Sequence, residues 1–353
     1  MAALTSAELA NVANAALDFY MDKGNVLSQT IQKRPLFNAM DTAAKTLPGG
    51  KGDVSLAVKG AYTTTVAGYT GTDTVAYANP ANIQRVNYTW KEHHAGISVT
   101  HTELKHDGIS VVDSARSEST SEHVQRAKTV LVNLLQDKLE DMAEGYARGV
   151  NTLLYGDGTA DAKAFAGIQA VLPDDPTASG TTVGGLSTVS NTWWRPRTNL
   201  ALATTSGGQE LVELIHTELR QLRRYGGDPK IAVCGSDFLD RLATELRSKG
   251  NYTQTGFSGK GATDIAMAEI HYGGLRFIYD PTMDDLTITS RDPDKRCYII
   301  DPSKLYLMYM SEEKEKQHSP ARPHDQYVLY RAVTTTAALC ASQLNCHGIY
   351  ELA

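Results

Sequence analysis

Residues 61–82 read AYTTTVAGYTGTDTVAYANPAN, and Asp73 is the one charged side chain among them. On both sides of this stretch apolar residues recur at every second position: Val54, Leu56 and Val58 before it, Val86, Tyr88 and Trp90 after it. That period of two is the signature of a strand with one buried face. Two arms joined by small, β-prone residues predict a long β-hairpin with a poorly packed tip, within residues 49–100. A two-stranded hairpin is marginal on its own in water. This one needs a partner surface, and a compact enzyme seldom carries such a feature.

Toward the N-terminus, residues 1–48 read as an arm. Leu9, Val12, Ala13, Ala16, Leu17 and Tyr20 recur at steps of three and four, which predicts an amphipathic helix that Gly24 ends. The following VLSQTIQKRPLFNAM has no evident period and a proline, so it is expected to lie on another surface, of its own chain or of a neighbour.

Toward the C-terminus, Ser119 and Glu122 form an S-x-x-E capping box. After it Val124, Ala127, Leu131, Leu134, Leu135, Met142, Ala143, Tyr146, Leu153 and Leu154 keep one helical face as far as Tyr155, and Gly156 stops it. A helix over 121–154 would be about 50 Å long at 1.5 Å per residue. Most globular helices are much shorter. A break near Gly145 or Gly149 is the alternative, since glycine weakens helix interiors. Residues 174–197 read as a loop with exposed Trp193 and Trp194.

A compact α/β unit begins near Gly207. One helix carries Leu211, Leu214, Ile215, Leu219 and Leu222, Ile231–Cys234 is a short buried strand, and a second helix, capped by Ser236, carries Phe238, Leu239, Leu242 and Leu246. Strands are expected at 275–279, 297–300, 305–310, 327–333 and 337–339, and GIYEL at 348–352 closes the chain. No repeat of fixed period occurs.

Composition limits the function. The 353 residues are 41% hydrophobic and 21% charged, with a formal net charge of −6. A chain that grips nucleic acid through its phosphates carries a basic excess, and this one does not. Cys234, Cys297, Cys340 and Cys346 form neither a C-x-x-C pair nor a zinc spacing, and read as thiols of a reducing compartment. The first 20 residues lack the pattern of a signal peptide.

Candidate chemistry is sparse. His93, His94, His101 and His106, with Glu92 and Glu103, form the densest group of potential ligands, but their spacing matches no zinc motif. On a strand His93 and His94 would face opposite ways. In GFSGKGAT, Gly261 follows Lys260 where a P-loop needs Ser or Thr, so 256–263 reads as a mobile turn. Gly235–Ser236 lacks the second glycine of a nucleophile elbow. The pairs Asp174–Asp175 and Asp284–Asp285 sit beside prolines and read as solvated turns. No catalytic, cofactor-binding or metal-binding residue is expected. EEKEKQHSPARPHDQYVLYR alternates in charge, as a surface loop or as a rim for ion pairs between subunits.

The order of parts resembles the major capsid proteins of tailed bacteriophages, with their Hong Kong 97-type fold. The closest echoes in sequence are LLYGDGTADAKAFAGIQAVL at 153–172, CYIIDPSKLYLMYM at 297–310 and PARPHDQYVLYRAVTTTAALCASQLNCHGIYEL at 320–352. The resemblance implies an α+β chain divided as an N-terminal arm (1–48), an extended loop reaching over a neighbour (49–100), a peripheral domain with a long spine helix (101–205), an axial domain (206–320), and returning strands with a terminal strand (321–353). It implies hexamers and pentamers closing into an icosahedral shell around double-stranded DNA, assembled in the host bacterial cytoplasm and carried in the virion. Its implied partners are further copies of itself, a separate scaffolding protein, a portal and a decoration protein. The arm is too short to hold the cleavable scaffolding segment of some relatives, which implies a separate scaffold or a segment already removed. The Lys–Asn cross-link of others is not carried over, although Lys51 and Lys59 lie in the hairpin. An encapsulin-like cellular compartment is the first alternative. A metal-dependent hydrolase using His93–His106 and a tail or baseplate protein are the others.

Overall fold

The computed structural model describes residues 4–5, 34–49, 51–60, 64–75, 77, 82–106, 111–112, 138–139, 141–159, 161–203, 210–248, 269–287, 291–318 and 326–353. The expected N-terminal helix, the capping box at Ser119, most of the spine helix and the 256–263 turn lie outside them.

Two sheets organise the molecule. With strands numbered along the chain, and β1 (Leu4–Thr5) paired to β6 (Val111–Val112) and β7 (Thr182–Val183) to β8 (Leu186–Ser187), the first sheet has six: β9 (Arg197–Leu202), β10 (Ile231–Cys234), β11 (Glu269–Tyr272), β12 (Leu275–Tyr279), β13 (Arg296–Ile300) and β17 (Gly348–Leu352). They lie in the order β11-β12-β10-β13-β17-β9. Every residue of β13 is buried, which accounts for the unbroken run Cys297–Ile300. A strand covered on both faces has no reason to alternate. Its alternate residues serve two different cores. Tyr298 and Ile300, with Val233 and Ile349, join one apolar cluster. Cys297 and Ile299, with Ala232, Cys234 and Tyr350, join the other.

The second cluster lies under two helices, Glu210–Arg223 and Ser236–Ser248. Leu211, Ile215, Leu219 and Leu222 recur at helical spacing and are all buried. Glu245, buried on the second helix, accepts from the backbone N–H of Leu211 (3.1 Å) and Val212 (3.2 Å), so one helix caps the N-terminus of the other. A carboxylate there meets both orphan amides and the positive end of the helix dipole.

The second sheet is built on β16 (Val328–Ala341), a strand of 14 residues. The expected breaks at 334–336 are absent: Thr334, Thr335 and Thr336 continue the strand. One edge of β16 pairs with β5 (Lys91–Thr100), from Val328↔Thr100 to Ala337↔Lys91. Its other edge pairs with β14 (Leu305–Met310) and β15 (Lys316–His318). β2 (Lys45–Leu47) adds to β14 in parallel. Thus β5, which was expected inside the extended loop, is a strand of this sheet.

The segment VLSQTIQKRPLFNAM contains a helix that its pattern had concealed. Pro35–Thr42 is helical, with proline in its first turn and Leu36, Phe37 and Met40 buried. Proline fits there because its missing N–H would be unpaired anyway. The helix packs on its own chain, where Tyr309 Oη donates to Asp41 Oδ1 at 2.7 Å.

Residues 138–139 and 141–155 are helical, without interruption at Gly145 or Gly149. The helix ends as expected, with Gly156 in a bend. Gly167 then packs against that end so closely that a Cβ would lie 2.4 Å from the Leu153 carbonyl oxygen. A buried polar node fixes this helix to its neighbours. Asn151 Oδ1 accepts from the Phe37 N–H at 3.3 Å, and Asn151 Nδ2 donates to Asp280 Oδ2 at 3.1 Å. Tyr155 Oη donates to the same carboxylate oxygen at 2.9 Å. Asp280 also caps the short helix Pro281–Asp285 by accepting from Thr282 N–H. Two helices thus share one fully buried carboxylate, and Asn151 ties the helix Pro35–Thr42 to the same node.

Candidate assembly surfaces

The hairpin forms with the expected arms. β3 (Asp53–Lys59) and β4 (Ile83–Thr89) pair antiparallel from Asp53↔Thr89 to Lys59↔Ile83. Val54, Val58, Val86 and Tyr88 turn inward to the first core, and Tyr88 Oη donates to the Ala341 carbonyl at 3.1 Å. The base has a brace that was expected to be loop. Val183-Gly184-Gly185-Leu186 makes a two-residue turn between Thr182–Val183 and Leu186–Ser187, with φ of 60° and 78° at its glycines. Positive φ at both positions is what a hairpin turn with native strand twist requires. The Gly184 carbonyl accepts from Asn87 N–H at 2.9 Å, and a Cβ at Gly184 would stand 2.9 Å from the Val86 Cβ.

Beyond the Gly60–Asn82 backbone bond the character changes. Residues 64–75 and 77 belong to no strand, and all of them are exposed. Val66 is fully exposed, Tyr69 is 72% and Tyr77 94% exposed. A turn is built at the tip: Asp73 N–H donates to the Thr70 carbonyl at 2.8 Å, and Thr70 N–H to Asp73 Oδ2 at 2.7 Å. The chain therefore carries apolar and aromatic side chains into water on a segment without a core of its own. Exposed apolar patches of this kind mark contact surfaces.

The candidate ligand group comes apart. His93 and His94 do face opposite sides of β5: His94 is exposed, and His93 lies edge-on to the Phe165 ring at 4.7 Å. Burial holds the His93 imidazole below its ordinary value. His101 packs on Tyr327 at 5.7 Å, while His106 is exposed. Glu103 has a structural task that the spacing had concealed. It accepts from Thr100 N–H at 2.9 Å while Thr100 Oγ1 accepts from Glu103 N–H at 3.2 Å, a capping box that turns β5 into the helix His101–His106. Those hydrogen bonds, with Lys138 beside it, hold the Glu103 carboxyl below its usual range. Among the described residues no three His, Cys, Asp or Glu side chains converge on a metal-sized point.

Other residues singled out earlier have structural duties. Asp174 is no solvated turn residue: it pairs with Arg291 and accepts from both terminal nitrogens of Arg296 at 3.0 and 3.2 Å. Arg296, only 2% exposed, also pairs with Glu351 on the neighbouring strand. Asp284 caps the helix at Ser236, accepting its N–H at 3.1 Å, so Ser236 is the capped residue rather than the cap. Trp194 is 1% exposed, and its indole N–H donates to the Val183 carbonyl at 3.2 Å. In the charged loop Lys314 pairs with Asp41 and Lys316 with Glu313, so these ion pairs lie within the chain. All four cysteines are free and buried. Burial pushes the Cys340 and Cys346 thiols up to about 12, which leaves them protonated and inert at neutral pH.

What remains prominent is a sheet-rich body with an exposed, apolar hairpin tip. The family model described as SU10 major capsid protein matches residues 45–352. The chain belongs to the SU10 major capsid protein family. The capsid protein is also similar to solved structures. The capsid asymmetric unit of Cyanophage A-1(L) superposes with a TM-score of 0.59 at 14% identity, over 91% of this chain and 92% of that one. A structure of Mycobacterium phage Bobi superposes with a TM-score of 0.51 at 10% identity, over 88% of this chain and 89% of that one. At these identities the likeness speaks for the fold, which is the Hong Kong 97-type capsid fold. No curated protein sequence matches the chain. The family match favours a tailed-phage major capsid protein over an encapsulin-like compartment, a tail component or a hydrolase.

Proposed function

We propose that this capsid protein closes, as hexamers and pentamers, into an icosahedral shell around double-stranded DNA, with no catalytic step of its own. Residues 49–90 serve as the loop that crosses to a neighbour, the sheet of β5, β14, β15 and β16 with the helix at 141–155 as the peripheral domain, and the six-stranded sheet with its two helices as the axial domain. The observation that carries this reading is the tip at residues 64–77, exposed throughout its described length although Val66, Tyr69 and Tyr77 lie in it. Such a segment gains by burial against another copy, and many weak copies of one contact add up in a closed assembly. The net charge of −6 suits a wall that encloses DNA without gripping its phosphates. A separate scaffolding protein, a portal and a decoration protein complete the proposed set of partners, with assembly in the host cytoplasm.

Deleting Tyr62–Asn79 tests this. The expected product is a folded, soluble subunit that forms no shells under the electron microscope. Normal particles from that deletion would remove the basis for the loop's role.

A further inference from the structure

Where the paired arms of the hairpin end, at Lys59 and Gly60, lies a groove of about 1030 Å³, bounded also by Trp193, Arg195, Pro196, Arg224 and Tyr225. No Asp or Glu lines it among the described residues. Arg197 at its edge is answered by Glu218. Arg195 spends its guanidinium on the carbonyls of Thr188 and Val189, at 2.6 and 2.9 Å, and Arg224 lies 5.4 Å over the Tyr225 ring. Neither partner is a carboxylate, so among the described residues the charge of both arginines has no ion pair, in a wall that also holds aromatic rings. A chain with net charge −6 has gathered positive charge here against its overall balance.

The hairpin tip is the chemical counterpart. Its single charge within residues 61–82 is the carboxylate of Asp73, held in a built turn and flanked by exposed Tyr69, Val75 and Tyr77. We propose that the tip of one copy docks in this groove of a second copy, placing Asp73 among the arginines and its tyrosines on Trp193 and Tyr225. Acid meets base, and apolar side chains in water meet a concave wall with aromatic faces. Tip and groove are different surfaces of the chain. The contact is therefore head-to-tail, the kind that closes into a ring when the rotation fits. This rests on the hairpin acting between subunits and adds where it lands.

The first arm of the test uses a chain carrying both Thr72→Cys and Tyr225→Cys, treated as assembled particles with a short bismaleimide. The native cysteines are buried, so the new pair reacts selectively. The expected result is a ladder of covalent multimers on a denaturing gel, absent from either single variant. Cross-linking confined to the monomer, or none at all, would overturn the proposal. The second arm reverses charge. Arg224→Glu is expected to lower particle yield at least tenfold, and Asp73→Lys in the same chain to restore most of it. Unchanged yield with Arg224→Glu, or no recovery in the double variant, would count equally against the groove. This arm decides the matter if the cysteine pair blocks assembly. If deleting Tyr62–Asn79 abolishes shells while both arms fail, the hairpin still acts between subunits and docks elsewhere.

Discussion

Single residues show what sequence spacing conveys and what it hides. The opposite orientation of His93 and His94 follows from strand geometry and was legible. The pairing of Asp174 with Arg296 was not, because the partners are 122 residues apart and nothing local marks either. Trp194 looked exposed because the short strand whose Val183 carbonyl receives its indole N–H lies in a stretch that reads as loop. His347 supplies a test at this scale. It is fully buried, and its Nδ1 accepts from Asp301 N–H at 3.2 Å, which requires an unprotonated Nδ1. Burial lowers it to about 4, against the pull of nearby Asp301 and the Gln343 carbonyl. The folded chain thus resists a proton that the unfolded chain accepts near 6.5. The stabilisation is complete above about pH 6.5 and is lost progressively as pH falls toward 4, by about 3 kcal/mol in total. Denaturant titrations of His347→Gln should show a shallower acid slope than the parent chain, and equal slopes would reject this role. At the other buried node, Asp280→Ala leaves Tyr155 Oη without its acceptor and Asn151 Nδ2 with Thr282 Oγ1 alone. The expected loss is about 2–4 kcal/mol in denaturant unfolding. A change below about 0.5 kcal/mol, the level of an ordinary surface substitution, would mean that the node does not hold the helices together.

Elements were legible where a local period carried them. The hairpin arms, the helices at 210–223 and 236–248, and the strands at 275–279 and 305–310 were all visible as patterns. The extent of β16 was not, because three threonines interrupt its apolar run and only pairing with β5 and β15 explains them. The same long-range pairing took Lys91–Thr100 out of the loop that precedes it in sequence. The brace at Gly184 was hidden inside a stretch rich in Ser, Thr and Gly, although two adjacent glycines are a turn signal. Gly184→Ala tests it, since a Cβ at φ 60° would also press on Val86. A left-handed backbone conformation costs a non-glycine residue about 1–2 kcal/mol. The hairpin base should loosen, with faster proteolysis between residues 49 and 100 than in the parent chain. An unchanged cleavage rate would show that the turn does not support the hairpin.

The whole molecule combines a body with a well-filled interior and a projection that has none. The central strands β10, β13 and β17 give one face to each of two apolar clusters, so the body has ample reason to fold as one subunit. The hairpin tip has no such reason, and its exposed tyrosines and valines make sense on a neighbour. The fold class was readable from the sequence because the order of its elements is distinctive. The landing site of the tip was not, because the groove draws on residues 58–60, 176–177, 192–198, 221–225 and 342–345. Cryo-electron microscopy of particles made by co-expressing the full chain with the genes encoded beside it tests the central claim most directly. The account predicts closed icosahedral shells whose wall is this chain, in hexamers and pentamers, with residues 64–77 of each copy seated on the next. A particle wall lacking this chain, or shells in which every tip stands free in solvent, would contradict it.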